Sequence, residues 1–113
     1  MAPGYGWRAD PRDKIQEFHK GIDFTCPPGT PVDVAVDGVV ETVDYNYGGY
    51  GNEVIVNHGF GYRTRYAHLS KFNVRPGQKL KRGDVIAFSG STGKSTGPHL
   101  HYEVLKNGEV LNP

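Results

Sequence analysis

Apolar and polar residues alternate with a period of two along most of this chain, which is the spacing of half-buried β-strands. The alternation is cleanest over residues 53–58 and 62–68, on either side of Gly59, Phe60 and Gly61. Two such runs joined by a short glycine-containing segment predict a β-hairpin. No stretch of ten or more residues has helical periodicity. Further strands are predicted at residues 32–36, 38–44, 85–89 and 99–104.

Glycine and proline mark the connections between these strands. Asp37-Gly38 predicts a tight turn between residues 32–36 and 38–44, and Asn107-Gly108 predicts a turn into a last short strand. Residues 45–51 and 90–98 are expected to be glycine-containing loops, and residues 1–18 an ordered, turn-rich lead-in without strand periodicity. The predicted fold is all-β, with short antiparallel strands in a compact two-sheet or barrel-sandwich arrangement and glycine-rich loops around a groove.

Length and charge restrict the classes of function. The 113 residues suffice for one domain, taken as residues 1–113, but not for two. A net charge of +1 with both signs interspersed argues against nucleic-acid binding. No apolar run approaches the ~20 residues of a membrane span, and any targeting segment is expected to lie outside this chain. The single cysteine, Cys26, excludes an internal disulfide. The protein is expected to be a monomer.

Two histidines near the C-terminus could form a metal site. His99 and His101 alternate with Leu100 and Tyr102, so both imidazoles lie on one face of the predicted strand, roughly 6–7 Å apart. One ring could bind a metal ion while the other stands beside its open position. The strand pattern does not say which of the two is the ligand.

A second pair of metal-binding residues occurs earlier in the chain. His19 and Asp23 would be ~13 Å apart in a straight strand, but Gly21 between them permits a bend. With one histidine of the later pair they make three protein ligands, the number that leaves a position for water in a catalytic zinc site. His68, at the end of a predicted strand, is then a candidate for proton transfer or oxyanion stabilisation, as is the remaining histidine of the pair.

Three segments resemble the signatures of the lysostaphin-type zinc metalloendopeptidases. They are His19-Lys20-Gly21-Ile22-Asp23, Tyr66-Ala67-His68-Leu69-Ser70 and Gly97-Pro98-His99-Leu100-His101. The resemblance extends over essentially the whole chain, with the segments in the order typical of that family.

The resemblance implies a bacterial cell-wall hydrolase that cuts peptide bonds in the stem peptides or cross-bridges of peptidoglycan. It implies one zinc ion per chain, an extracellular or periplasmic location, and either a cellular or a phage origin. Glycine bridges and D-alanine-to-diamino-acid cross-links are both compatible with the sequence. The implied ligands are His19, Asp23 and His101, the implied catalytic residues are His68 and His99, and the weaker implied substrate contacts are Asn52 and Arg8.

Three alternative interpretations of the sequence are less well supported than a cell-wall hydrolase. A non-catalytic wall-binding or amidase-activating relative is expected to lose metal ligands, whereas all five expected positions are filled. A lipoyl or biotinyl carrier would need a lysine at a hairpin tip, which the pattern lacks. Residues 90–95 echo a phosphate-binding loop, but Phe88 stands where its leading glycine belongs, and Gly97-Pro98 follows where a helix should open.

Overall fold

The structure is a computed structural model that describes residues 16–18, 21–93 and 97–111. Within these ranges the regular secondary structure consists of β-strands, which confirms the all-β prediction. The strands are β1 Gln16–Phe18, β2 Gly21–Thr25, β3 Pro31–Asp33, β4 Gly38–Asn46, β5 Gly51–Gly59, β6 Tyr62–Phe72, β7 Lys79–Leu80, β8 Val85–Ser89, β9 His99–Lys106 and β10 Glu109–Val110.

The strands form one antiparallel hydrogen-bonded network in the order β1-β2-β9-β6-β5-β4-β7, with β10 beside β9 and β3 beside β8. Strand β6 joins two parts of this network, because it pairs with β9 up to Ala67 and with β8 from Leu69 onward, while its pairing with β5 continues to Leu69. The two expected sheets are therefore connected through β6, and over the described ranges the network is not closed into a barrel. The same ranges contain no helix long and apolar enough to cross a membrane.

The core lies between the inner faces of these strands. Full burial of a valine, leucine, isoleucine or phenylalanine side chain contributes about 1.5–3 kcal/mol to the stability of the folded state. Cys26 is part of the core as a packed thiol. The other buried members are Phe24, Val32, Val34, Val40, Val54, Val56, Tyr66, Leu69, Leu80, Ile86, Ala87 and Leu100.

Both predicted glycine-containing hairpins are present. Gly59 pairs with Tyr62 around Phe60 and Gly61, whose φ angles are 56° and 83°. Lys106 pairs with Glu109 around Asn107 and Gly108, whose φ angles are 52° and 87°. Two central residues with positive φ make a type I′ turn, whose twist matches that of the flanking strands.

The prediction for residues 32–38 is wrong in two respects. Strand β3 ends at Asp33, where the ladder shifts register, and Val36 is 58% exposed. Asp37-Gly38 does not close a hairpin, since β3 pairs with β8 and β4 with β5. Gly38 is needed for a different reason: a Cβ there would lie 2.7 Å from Val56 Cγ1 and 2.8 Å from the Asn57 carbonyl oxygen.

The pattern also missed short strands and misplaced strand ends. Strand β1 lies inside the segment predicted as an irregular lead-in, and its Gln16 pairs with Asp23 of β2. Strand β7 has only two residues and pairs with the start of β4. Strand β6 continues four residues beyond the predicted end at His68. Strands of two or three residues, such as β7 and β1, contain too few alternations for a period to be recognised.

Candidate active site

Asp23 is the point on which the candidate site converges. Asp23 of β2 lies directly opposite His101 of β9, and Thr25 lies opposite His99. The Oδ1 atom of Asp23 is 2.6 Å from His101 Nδ1 and 3.5 Å from His99 Nε2. Both imidazoles therefore face the same carboxylate, as the strand alternation predicts.

The side chain of His68, on β6, lies beside His99 and His101. Its ring centroid is 4.7 Å from that of His99 and 6.0 Å from that of His101. His68 has φ 60°, a left-handed conformation uncommon for a non-glycine residue, and it lies where β6 stops pairing with β9 and begins to pair with β8. Its backbone N–H donates to the Tyr50 carbonyl at 2.8 Å, and its Nδ1 donates to the Thr92 carbonyl at 2.6 Å. These bonds fix the bend and the ring together.

The loop between β8 and β9 is hydrogen-bonded to the start of β5. The Thr92 hydroxyl donates to the Leu69 carbonyl at 2.7 Å and accepts from the Asn52 backbone N–H at 3.1 Å. The Asn52 side-chain amide also donates to the Leu69 carbonyl, at 2.9 Å. At Gly93, φ is 75° and a Cβ would lie 2.4 Å from the Gly51 nitrogen. This close backbone contact keeps the Thr92 carbonyl over His68.

The tautomers of two histidines follow from their partners. A carbonyl oxygen can only accept a hydrogen bond, so Nδ1 of His68 carries a proton and Nε2 holds the lone pair of the neutral ring. His99 is arranged in the same way, because its Nδ1 donates to the Gly97 carbonyl at 2.9 Å. Each ring therefore uses Nε2 for exchanging protons in the site.

His101 has a carboxylate on each side. Nδ1 contacts Asp23, and Nε2 is 2.9 Å from Oε2 of the fully buried Glu103. Burial disfavours the imidazolium, but the hydrogen bonds to Asp23 and Glu103 outweigh it and raise the pKa of His101 to about 9. Burial likewise favours protonation of Glu103, yet the bonds from His101 and Tyr50 and the charge of Arg65 lower the pKa of its carboxyl group. Without metal, His101 is thus a cation at neutral pH.

The surroundings of His68 shift its pKa in the opposite direction. Burial lowers the pKa of His68, and the hydrogen bond to Thr92 opposes only part of that effect. The side chain is 6% exposed. His68 is therefore neutral at pH 7 and can accept a proton.

Comparisons with known proteins agree with these features. The sequence profile of peptidase family M23 matches residues 17–113. The chain belongs to peptidase family M23. An uncharacterized metalloprotease of Haemophilus influenzae is 55% identical over 95 residues, 84% of this chain and 20% of that protein. The peptidoglycan DD-endopeptidase ShyA of Vibrio cholerae is 49% identical over 105 residues, 93% of this chain and 24% of that protein.

The fold also matches a solved structure of a peptidase. The catalytic domain of lysostaphin, an antimicrobial peptidase of Staphylococcus simulans, superimposes with a TM-score of 0.79 at 38% identity, over 85% of this chain and 76% of that one. The resemblance to lysostaphin-type enzymes is confirmed. This M23 chain spans only about a fifth to a quarter of the length of the two curated relatives.

Membership of the M23 family implies a metal cofactor. Among residues 16–18, 21–93 and 97–111, no group of three or more histidine, cysteine, aspartate or glutamate side chains is arranged to hold a metal ion. The described part of the predicted ligand set is Asp23 and His101, which supply the oxygen and nitrogen donors that zinc accepts. These two residues fit a metal ion that displaces the proton between them. His19 and Arg8 lie outside the described residues.

Sequence reasoning missed the residues that support the site. Glu103 shares the face of His99 and His101 in the alternating pattern, which was a usable signal. Tyr50 and Thr92 lie in loops whose sequence gives no sign of their contacts. His58, the fifth histidine, bonds the Asp37 carbonyl at 2.9 Å and the Thr64 hydroxyl at 2.7 Å, outside this site.

Proposed function

We propose that this chain is the catalytic domain of a zinc-dependent endopeptidase that hydrolyses peptide bonds in peptidoglycan stem peptides or cross-bridges. The observation that carries the proposal is the convergence of His68, His99 and His101 on Asp23. One carboxylate and three imidazoles, in an M23 fold, provide both metal donors and proton-transfer groups. The similarity to ShyA and to the catalytic domain of lysostaphin supports peptidoglycan as the substrate.

Asp23 and His101, together with His19, would hold one zinc ion. Lewis-acid activation of water for attack on an amide carbonyl is the chemistry that the ion would supply when bound. The chain's own contribution before binding is to hold Oδ1 of Asp23 and Nδ1 of His101 in direct contact, 2.6 Å apart. Strand pairing between β2 and β9 places the two residues directly opposite each other, so little ordering of the backbone remains for metal binding.

His68 and His99 would transfer protons and stabilise the developing oxyanion. Neutral His68 has its lone pair on Nε2 and is suited to take a proton and return it to the leaving amine. His99 directs Nε2 toward Asp23, where this nitrogen, when it carries a proton, would donate a hydrogen bond to an oxygen of the reacting amide. Their Nδ1 bonds to backbone carbonyls hold both rings in place during these steps.

The remaining features of the proposal concern the substrate and the setting. Asn52 and Arg8 would contact the peptide, although the Asn52 amide also holds the Leu69 carbonyl beside His68. A peptidoglycan substrate requires an extracellular or periplasmic location. Residues 1–113 would act as one domain and as a monomer.

The test is digestion of defined cross-linked muropeptides by the zinc-loaded protein. One substrate carries a D-alanine-to-diamino-acid cross-link and the other a glycine bridge, and the products are weighed by mass spectrometry. We expect cleavage of one of these bonds, with about one zinc per chain by elemental analysis. A protein that holds zinc but cleaves neither substrate would contradict the proposed activity and favour a wall-binding role.

A control separates this activity from contaminating hydrolases. The His68→Ala protein, purified in the same way, should retain zinc and lose most of the cleavage. Equal cleavage by both preparations would assign the activity to a contaminant.

A further inference from the structure

Glu103 is a completely buried carboxylate two residues beyond His101 on β9. Its Oε2 accepts hydrogen bonds from the Tyr50 hydroxyl at 2.7 Å and from His101 Nε2 at 2.9 Å. Its Oε1 accepts from the Arg65 guanidinium at 2.9 Å. A buried charge is costly unless it is paired and hydrogen-bonded. Held by three donors, this carboxylate has a fixed orientation and can impose one on the ring it contacts.

The contact decides which nitrogen of His101 faces Asp23. A carboxylate only accepts, so the bond to Glu103 places a proton on Nε2. The opposite nitrogen, Nδ1, is then directed at Asp23. We propose that Glu103 is a positioning residue that selects Nδ1 of His101 as the metal-binding nitrogen. The inference rests on the proposed function, in which His101 is a zinc ligand.

Arg65 fixes the carboxylate from the neighbouring strand. Arg65 lies directly opposite Glu103 in the pairing of β6 with β9, and its guanidinium carbon is 4.3 Å from the centre of the Tyr50 ring. Its Nε is also 3.2 Å from Oε1 of Glu53 on β5. The orientation of His101 thus depends on the pairing of β6 with β9, which places Arg65 beside Glu103, and on the loop that carries Tyr50. Hydrogen-bond partners of this kind orient metal-binding histidines in many proteins.

The variant that tests the proposal is Glu103→Gln, which keeps the size of the side chain but replaces one acceptor with a donor. Arg65 can only donate, so the glutamine oxygen should turn to Arg65 and its amide nitrogen to His101. Nε2 must then accept, which moves the ring proton to Nδ1, where it competes with the metal. We expect the zinc dissociation constant, measured by chelator competition, to rise about 10–100-fold.

Glu53→Gln is the matched control. Glu53 is also a buried carboxylate paired with Arg65, but it accepts a hydrogen bond from the side-chain amide of Asn46 rather than from a histidine. This variant should lower the melting temperature of the metal-free protein and leave the zinc dissociation constant unchanged. Equal weakening of zinc binding in both variants would mean that the buried ion pairs act only through general stability, and would overturn the proposal.

A measurement on the unmodified protein removes any dependence on folding of the variants. In the zinc-loaded chain, ¹⁵N-resolved NMR should find the proton of His101 on Nε2 and the metal on Nδ1. A proton on Nδ1, or unchanged zinc affinity in Glu103→Gln, overturns this inference alone. Failure of the unmodified protein to bind zinc overturns the proposed function and this inference with it.

Discussion

Replacing Gly93 by alanine tests whether the loop between β8 and β9 positions the catalytic machinery. Gly93 has φ 75°, and a Cβ there would lie 2.4 Å from the Gly51 nitrogen and 2.6 Å from the Gly49 carbonyl oxygen. Both obstacles are backbone atoms, so the loop must move by roughly 1 Å to reach ordinary van der Waals separation. That movement would carry the Thr92 carbonyl away from His68 Nδ1, now 2.6 Å distant.

The expected effects on stability and activity are different in size. Left-handed φ costs an alanine about 1–2 kcal/mol, which corresponds to a fall in melting temperature of roughly 4–8 °C for a domain near this size. A displacement of about 1 Å in a catalytic group can cost ~10²-fold in rate. Zinc binding should persist, because Asp23 and His101 are held by the pairing of β2 with β9.

Gly77→Ala is the matched control, since Gly77 has φ 87° with nothing within 4 Å of the added Cβ. It should show the backbone strain in its melting temperature while keeping the cleavage rate. The assay compares melting temperature, zinc content and cleavage rate of the two variants on one muropeptide. Equal cleavage rates, or loss of zinc from Gly93→Ala, would refute the proposed role of the loop.

Three further predictions concern the histidines. His68→Ala and His99→Ala should each reduce cleavage ~10²–10⁴-fold while elemental analysis still finds one zinc per chain; release of the metal by His99→Ala but not by His101→Ala would reverse the assignment within the pair. Because burial lowers the pKa of His68, its neutral form should be lost only below the ordinary value of ~6.5. The cleavage rate should fall below about pH 6, and excess zinc should restore only the part of this loss that is caused by released metal. Full activity at pH 4.5 without added metal would refute this prediction. In the metal-free protein the raised pKa of His101, about 9, contributes stability that is complete below ~6.5 and is lost as the pH rises through 9. Urea unfolding at pH 7 and pH 9.5 measures this loss, and equal stability at the two pH values would contradict the contacts with Asp23 and Glu103.

How far the sequence predicts the fold depends on the range of the interactions that set each feature. The hairpin around Phe60 is local, because the short segment and the two flanking alternations specify it without reference to the rest of the chain. Gly38 looked like a turn residue for the same local reason. Its actual requirement comes from Val56 on another strand, and nothing near Gly38 in sequence reveals that contact.

The same distinction applies to the candidate site. The common face of His99 and His101 follows from the strand period, which holds wherever the strand lies. Their approach to Asp23 depends on the register of β2 against β9, which the alternation within one strand does not specify. The left-handed backbone of His68 could not be predicted, because positive φ is uncommon even for histidine, one of the residue types enriched there, and His68 lies in an alternating strand pattern.

The bend at His68 explains why the candidate site lies where it does. Strand β6 must change partners from β9 to β8 to join the two parts of the network, and His68 lies at that change, between Ala67, which pairs with β9, and Leu69, which pairs with β8. A left-handed backbone at a non-glycine residue costs about 1–3 kcal/mol and persists only if surrounding bonds enforce it. Here the Tyr50 carbonyl holds the backbone and the Thr92 carbonyl holds the ring. Because Tyr50 also donates to Glu103, which contacts His101, a single loop residue is bonded to the supports of both the proposed base and the proposed metal ligand. Replacement of Tyr50 itself should therefore alter proton transfer and metal binding together.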